Sequence, residues 1–370
     1  MKETLLINHL LEPGNRISGI SNYLFSLLKA MIQEDRFRIV LLTCWQREQL
    51  PVEIRDSAII VEEHPFVASQ PLNILRQNAL LHMRVRRYHA DLVFNSNPVG
   101  GVLTTAPKIF VAHDLYFDVS PNSYKWHHRL WWNIFFPLAC RSSAAVLCVS
   151  ANTQHDVQRF HPGFSAKTRV VLEAPCLEIS SSAARSPERF GLFVANVSPN
   201  KGAQTLVHAM SLLAREGQPL PLHHVGSDDQ GRFPEYAAQF ENGAGVYPAS
   251  LGYLPASALS ELYASARYLA FPSHFEGFGL PVLEAQSHGL PVIASDIPVL
   301  REVAGEGALF FPPGDARALA DCMKSLHDDD ALFSALSKKA LANATRFSWE
   351  KAARETGELI THCIKLHAAA

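Results

Sequence analysis

This sequence has no surplus of charge of either sign. Its 33 lysines and arginines stand against 35 aspartates and glutamates, a formal net charge of −2. A protein that grips nucleic acid shows a strong basic excess, so DNA and RNA are not expected partners. Long apolar runs are missing as well. The longest block, LWWNIFFPLAC at 130–140, falls far short of the roughly 20 residues a spanning helix needs. The apolar run near the N-terminus stops at Asn8 and reads as a first β-strand rather than a signal peptide. The expectation is a cytoplasmic protein, soluble or peripheral to the membrane. Cysteine is scarce and scattered. Cys44, Cys140, Cys148, Cys176, Cys322 and Cys363 form no CxxC, the pattern of buried reduced thiols rather than of a disulfide framework. His127-His128 and His223-His224 lack the spacing that turns two rings to one face, so no metal site is expected. A persuasive Asp-x-Asp signature is lacking too; Asp228-Asp229 read as a solvated loop. No Gly-x-Gly-x-x-Gly follows a strand pattern, which disfavours a dinucleotide oxidoreductase.

What is present is bulk and rhythm. The chain has 370 residues, 48% of them hydrophobic and 18% charged, enough to bury the cores of two α/β domains. Short apolar runs alternate with amphipathic stretches, the pattern of parallel βαβ units. Strands are predicted at 5–9, 38–42, 91–95, 109–112, 145–149 and 169–172, with helices at 20–33, 73–88, 124–139 and 153–159. A Ser-, Ala- and Pro-rich stretch at 174–189 reads as a linker. A second series follows, with strands at 190–195, 222–225, 268–271, 292–295 and 308–310 and seven helices between 203 and 366. The fold class is α/β: two Rossmann-like, doubly wound parallel-sheet domains facing each other across a cleft, with ligands at the carboxyl ends of the strands. The expected boundaries are 1–175, 190–346 and a final helix segment, 347–370.

One segment carries chemistry. FPSHFEGFGLPVLE, 271–284, follows a predicted strand and opens a predicted helix. Gly277 and Gly279 leave room for a ligand to approach the backbone. Phe278, Gly279 and Leu280 would offer free amides at the helix start, with Pro281 suited to its first turn. Such a terminus is a ready anion site, and a diphosphate fits it. Glu276 in the loop and Glu284 one turn into the helix flank that site, placed to accept hydrogen bonds from sugar and ribose hydroxyls. Each also has a plainer reading, Glu276 as a first-turn cap and Glu284 as a surface residue. The strand–glycine loop–helix context favours the functional one.

The segment resembles the family-4 retaining glycosyltransferases, which have the GT-B fold. Their Glu–seven residues–Glu motif stands here as Pro272, Ser273, Glu276, Gly277, Phe278, Gly279, Leu280, Pro281, Glu284 and Ala285. The likeness is near-continuous over 252–320. Three shorter segments fall in the family's order. SGISNY, 18–23, is a glycine turn in which Gly19 would let the backbone approach donor phosphates or acceptor, or is simply a tight turn. VAHDL, 111–115, would set His113 against the transferred sugar, although a lone strand-end histidine is often structural. ANVSPNKG, 195–202, resembles the phosphate-binding turn, with Asn200 beside Lys201, which would neutralise the β-phosphate as the glycosidic bond breaks. FSWEKAARETGELI, 347–360, resembles the family's last helix, which returns to the N-terminal domain with Trp349 as its anchor. There are departures. Asn196 and Asn200 stand where many members carry an arginine, leaving Arg301 as a further possible cation, and VVLEAP, 170–175, replaces the family's Asn-Gly at the end of the first domain.

The resemblance implies a metal-independent, retaining hexosyltransferase that needs no cofactor beyond its nucleotide-sugar substrate. SDIPVLREV, 295–303, is similar to members that build bacterial surface polysaccharide with mannose or rhamnose. GDP-mannose is therefore the favoured donor, with UDP-sugars open. The implied acceptor is a glycan or polyprenyl-linked sugar bound by the N-terminal half. There YKWHHRLWWNIFF, 124–136, and Arg84, Arg86 and Arg87 suit either a contact with the inner membrane or an ordinary amphipathic helix with a core face. A nucleotide-sugar epimerase and a non-catalytic nucleotide-sugar-binding protein on the same fold are the alternatives.

Overall fold

The computed structural model describes residues 2–10, 18–63, 67–68, 70–98, 100–102, 104–123, 125–177, 188–240 and 246–369. Most of the 174–189 linker stretch therefore lies outside the described residues. Two compact units result: Met1–Glu173 with Ser348–Ala370, and Ala174–Phe347.

The first unit runs β1 (Thr4–His9), α1 (Gly19–Glu34), β2 (Arg38–Thr43), α2 (Val52–Ser57), β3 (Ile59–Glu62), α3 (Gln70–Tyr88), β4 (Leu92–Asn95), β5 (Lys108–Ala112), α4 (Tyr116–Val119), α5 (Trp126–Ser142), β6 (Ala145–Cys148), α6 (Ala151–Phe160) and β7 (Thr168–Val170). All seven strands are parallel in the order β3-β2-β1-β4-β5-β6-β7. The chain starts at β1 in mid-sheet and the order reverses between β1 and β4, the place where open parallel sheets leave a crevice. The interior strands β1, β4, β5 and β6 are buried throughout, as residues covered on both sheet faces must be. Helix starts follow capping rules: Ser18 Oγ accepts from the amides of Ile20 and Ser21 at 3.1 and 3.2 Å, and Ser150 Oγ from Thr153 at 3.0 Å. The helix α2 and strand β3 are absent from the sequence reading. An edge strand of four residues, half-exposed along its length, carries too little hydrophobic alternation to stand out.

The second unit runs β8 (Gly191–Val194), α7 (Ala203–Arg215), β9 (Leu222–Val225), α8 (Arg232–Ala238), β10 (Ala249–Ser250), α9 (Ala256–Ser265), β11 (Tyr268–Phe271), α10 (Leu280–Ser287), β12 (Val292–Ser295), α11 (Pro298–Ala304), β13 (Ala308–Phe311), α12 (Ala316–Asp328) and α13 (Asp330–Ala344). Its strands are parallel in the order β10-β9-β8-β11-β12-β13. The reversal here lies between β8 and β11, so the loops leaving those two strands share one crevice. Strand β10 has only two residues, both exposed, and no sequence pattern marks it. Helix α8 is also unread in the sequence. Asp228 makes it, accepting from the amides of Arg232 (2.8 Å) and Phe233 (3.1 Å). Asp228 is thus a half-buried loop residue whose carboxylate satisfies the first amides of α8, while Gly231 holds the N-cap position.

The final helix, α14 (Trp349–Ala368), belongs to the first unit and lies against α1. Ser348 Oγ caps it at Lys351. The Trp349 ring meets Tyr23 of α1 edge-on at 5.6 Å, and Arg36 donates to Thr361 Oγ1 at 2.7 Å.

Candidate active site

The crevice of the second unit is built by two loops. After β8 the chain makes a single 3₁₀ turn, Pro199–Lys201, and enters α7 through Gly202. Gly202 has φ +66°, and a Cβ on it would fall 1.9 Å from the Pro272 carbonyl oxygen. Only glycine permits both the left-handed backbone and that approach. The loop leaving β11 is thereby held against the turn. His274 N–H donates to the Asn200 carbonyl at 2.8 Å, and Asn200 Nδ2 to the Phe275 carbonyl at 3.5 Å. Ser198 Oγ donates to Asn200 Oδ1 at 2.7 Å. Across this seam Lys201 Nζ lies 2.7 Å from Glu276 Oε1.

The second loop then turns into α10. Gly279, at φ +104°, precedes its first residue. Phe278 is buried edge-on against Phe347, ring centres 6.0 Å apart, which fixes the loop from below. The first amides of a helix have no intrahelical acceptor, and among the described residues no carbonyl accepts from Phe278, Gly279 or Leu280. Ser273 is fully buried and its hydroxyl has no partner among the described residues. Glu284 is buried rather than on the surface; its Oε2 accepts from the Tyr263 hydroxyl at 3.4 Å. Burial, then the Glu284 charge, pushes the Tyr263 phenol well above its usual range. His288 Nδ1–H donates to the Glu284 carbonyl at 2.8 Å, and its Nε2 lies 2.7 Å from Ser260 Oγ.

The structure thus gathers Asn200, Lys201, Ser273, Glu276, Gly277, Phe278, Gly279, Leu280 and Glu284 on two adjoining loops and one helix. The remaining two sequence-predicted residues lie in the first unit. Gly19 begins α1, with open space where a Cβ would stand. His113 follows β5. Its Nε2 is 3.0 Å from the Ser96 carbonyl, its Nδ1 is 3.4 Å from Glu173, and its ring meets Tyr23 edge-on at 4.9 Å.

Several groups beside the second unit's crevice escape sequence reasoning. Asn196 Oδ1 accepts from Ser227 N–H (3.1 Å), Ser227 Oγ (3.2 Å) and the Tyr253 hydroxyl (2.7 Å). Where many family members place a cation, this chain has a bracket tying the exits of β8 and β9. Gly226, Ser227, Asp228, Phe233, Ser250 and Tyr253 line an adjacent cavity of about 690 Å³. Tyr253 stands in the LGYLP segment, but nothing in that spacing announces its partner 57 residues away. Arg301 is held by Asp296, with Nη2 2.7 Å from Oδ2, and lies over the Phe310 ring. No group of three His, Cys, Asp or Glu side chains among the described residues is arranged to hold a metal ion.

Sequence comparison fits this geometry. Residues 17–172 match the model for Glycosyltransferase Family 4, and residues 178–345 match that for Glycosyl transferases group 1. The chain belongs to the family-4 glycosyltransferases. Among its relatives is the O-antigen chain mannosyltransferase B of Escherichia coli, 33% identical over 187 residues, 50% of this chain and 48% of that one. The chain spans about half the length of that curated relative. Two solved structures are similar across nearly all of the fold. Sucrose-phosphate synthase from Thermosynechococcus elongatus has a TM-score of 0.78 at 20% identity, with both chains covered to 100%. Anabaena HepE in complex with UDP-glucose has a TM-score of 0.73 at 19% identity, covering 98% of this chain and 100% of that one. The fold of this chain is GT-B, with two doubly wound parallel sheets.

Proposed function

We propose that this chain transfers a hexose from a nucleotide-diphosphate sugar to a glycan or polyprenyl-linked acceptor, with retention at the anomeric carbon and without a metal ion. The observation that carries the reading is the convergence on one crevice of a cation, a helix N-terminus with unpartnered amides, and two buried carboxylates. Lys201 and the amides of α10 bind the diphosphate, and their positive charge stabilises the leaving group as the glycosidic bond breaks. Glu276 orients the sugar through its hydroxyls, and Glu284, held by Tyr263, takes the ribose diol. The cavity beside Ser227 and Tyr253 has room for the nucleoside. A departing phosphate oxygen accepts the proton of the acceptor hydroxyl, so no protein base is required.

The second unit is the donor-binding domain and the first, with Gly19 and His113, the acceptor-binding domain. Mannose is the favoured sugar, because the O-antigen relative is named a mannosyltransferase. A membrane contact belongs to the same reading. No helix among the described residues is long and apolar enough to cross a membrane. Yet α3 and α5 carry no aspartate or glutamate, while Arg76, Arg84, Arg86, Arg87, Arg129 and Arg141 lie on them. Trp126, Leu130, Ile134 and Leu138 of α5 form an exposed stripe at four-residue spacing. A basic helix with an exposed apolar edge suits the surface of an anionic bilayer that presents a lipid-linked acceptor.

The test is calorimetry in EDTA with GDP-mannose, UDP-glucose and UDP-N-acetylglucosamine, followed by transfer assays with the donor that binds. Binding of one nucleotide class without metal is the expected result. Binding only with added divalent metal, or turnover of the donor to its epimer without acceptor, would overturn the reading.

A further inference from the structure

Lys201 and Glu276 meet each other across the seam between the two loops. The contact is 2.7 Å, and among the described residues neither side chain has another hydrogen-bond or ion-pair partner. Glu276 is 9% exposed. The pair is not a chance surface contact, because the Gly202–Pro272 approach, the His274–Asn200 bond and the Asn200–Phe275 bond fix the two loops relative to each other.

From this geometry, and resting on the donor-site reading above, we infer that the Lys201–Glu276 pair makes the site select the intact sugar nucleotide over the spent nucleoside diphosphate. A diphosphate that draws Lys201 away leaves Glu276 a buried carboxylate without its counter-charge and beside a new anion, both of which are unfavourable. An intact donor makes a complete exchange. Its phosphate takes Lys201, and its sugar hydroxyls donate to the Glu276 carboxylate at the same time. Once the sugar has been transferred, Glu276 loses those donors and recaptures Lys201, which weakens the hold on the nucleoside diphosphate and favours its release. Glu276 therefore acts twice, orienting the sugar and setting the preference for donor over product.

The experiment is titration calorimetry of GDP, UDP, GDP-mannose and UDP-glucose into the whole chain, wild type and Glu276→Gln. Removing the charge is expected to tighten the free nucleoside diphosphate by roughly tenfold, without a matching gain for the sugar nucleotide, so the donor-to-product preference shrinks. Glu276→Ala serves as a second variant and is expected to act in the same direction. Lys201→Gln is expected to weaken both ligands alike. If both Glu276 variants leave nucleoside diphosphate affinity unchanged or lower, while the wild type still binds donor, the inference is overturned and the donor-site reading survives. If the wild type binds neither class of ligand, the donor-site reading falls and this inference with it.

Discussion

At the scale of single residues, charge placement decides chemistry. The Lys201 ammonium sits just before α7, where the helix dipole disfavours a cation, and the Glu276 carboxylate compensates it. With Glu276 proposed to orient the sugar, Glu276→Ala is expected to lower transfer about a hundredfold while nucleotide binding persists. Lys201→Ala is expected to weaken donor binding and turnover together. Steady-state kinetics beside calorimetry separates the two, and full activity in either variant would remove the site assignment. A buried histidine makes a second prediction. His9 is 2% exposed, its ring nitrogens facing the hydroxyls of Thr43 and Ser21 at 3.1 and 2.9 Å and its ring packed against Phe25 and Trp45. Burial lowers its pKa from 6.5 to about 4. The unfolded chain therefore binds a proton that the folded one refuses, and stability falls as pH drops from about 6.5 to about 4 and levels off below that. The His9 share is about 3 kcal/mol. Urea unfolding across that window should show a slope for wild type steeper than for His9→Gln by about one proton; equal slopes would refute it.

At the scale of elements, the loops around the crevice depend on backbone that only glycine allows. Gly202→Ala forces a Cβ onto the Pro272 carbonyl at φ +66°. It is expected to destabilise the second unit by more than about 2 kcal/mol and to abolish donor binding, because the turn that aims Lys201 must move. Thermal denaturation and calorimetry on one sample check both effects; an unaltered melting temperature would contradict the packing described here. Helix α5 makes an opposite prediction. Trp126 is 77% exposed, so Trp126→Ala should change stability by less than about 0.5 kcal/mol. In sedimentation with anionic vesicles it should reduce binding several-fold. Unchanged binding would assign the exposed stripe no role at a membrane. Elements also show where sequence patterns run out. Helix α7 and strands β11 and β12 have the bounds their apolar runs predict, because each is long or wholly buried. Strand β3, strand β10 and helix α8 leave little signal, since two are short edge strands that are only partly buried or exposed and the third has its first amides held by Asp228 from the preceding loop.

At the scale of the whole molecule, the order of strands explains why so distant residues share a site. Lys201 and Glu276 are 75 positions apart, but β8 and β11 are neighbours at the point where the second sheet reverses direction. Chain order also misleads about membership. Helix α14 follows the second unit in sequence and packs in the first, where Ala352, Ala353, Thr356, Ile360 and Cys363 are buried. A chain ended at Phe347 would bare the side of α1 that α14 covers. It is expected to lose the first unit's cooperative unfolding, read by calorimetric scanning, whereas retention of both transitions would show that α14 is dispensable.

Periodicity by itself determined the α/β class and the two-series organisation, because parallel strands buried on both faces must be apolar throughout and their crossover helices amphipathic. The run from Pro272 to Glu284 by itself announced a glycine-bearing helix start flanked by carboxylates, since glycines, prolines and two glutamates at that spacing are local properties. Tertiary structure alone decided that Lys201 is paired with Glu276, that Asn196 ties Ser227 to Tyr253, that Tyr263 holds Glu284, and that His113 is clamped between Ser96 and Glu173. Each of those is a contact between residues distant in sequence, and such contacts depend on which strands become neighbours, a fact no local pattern encodes.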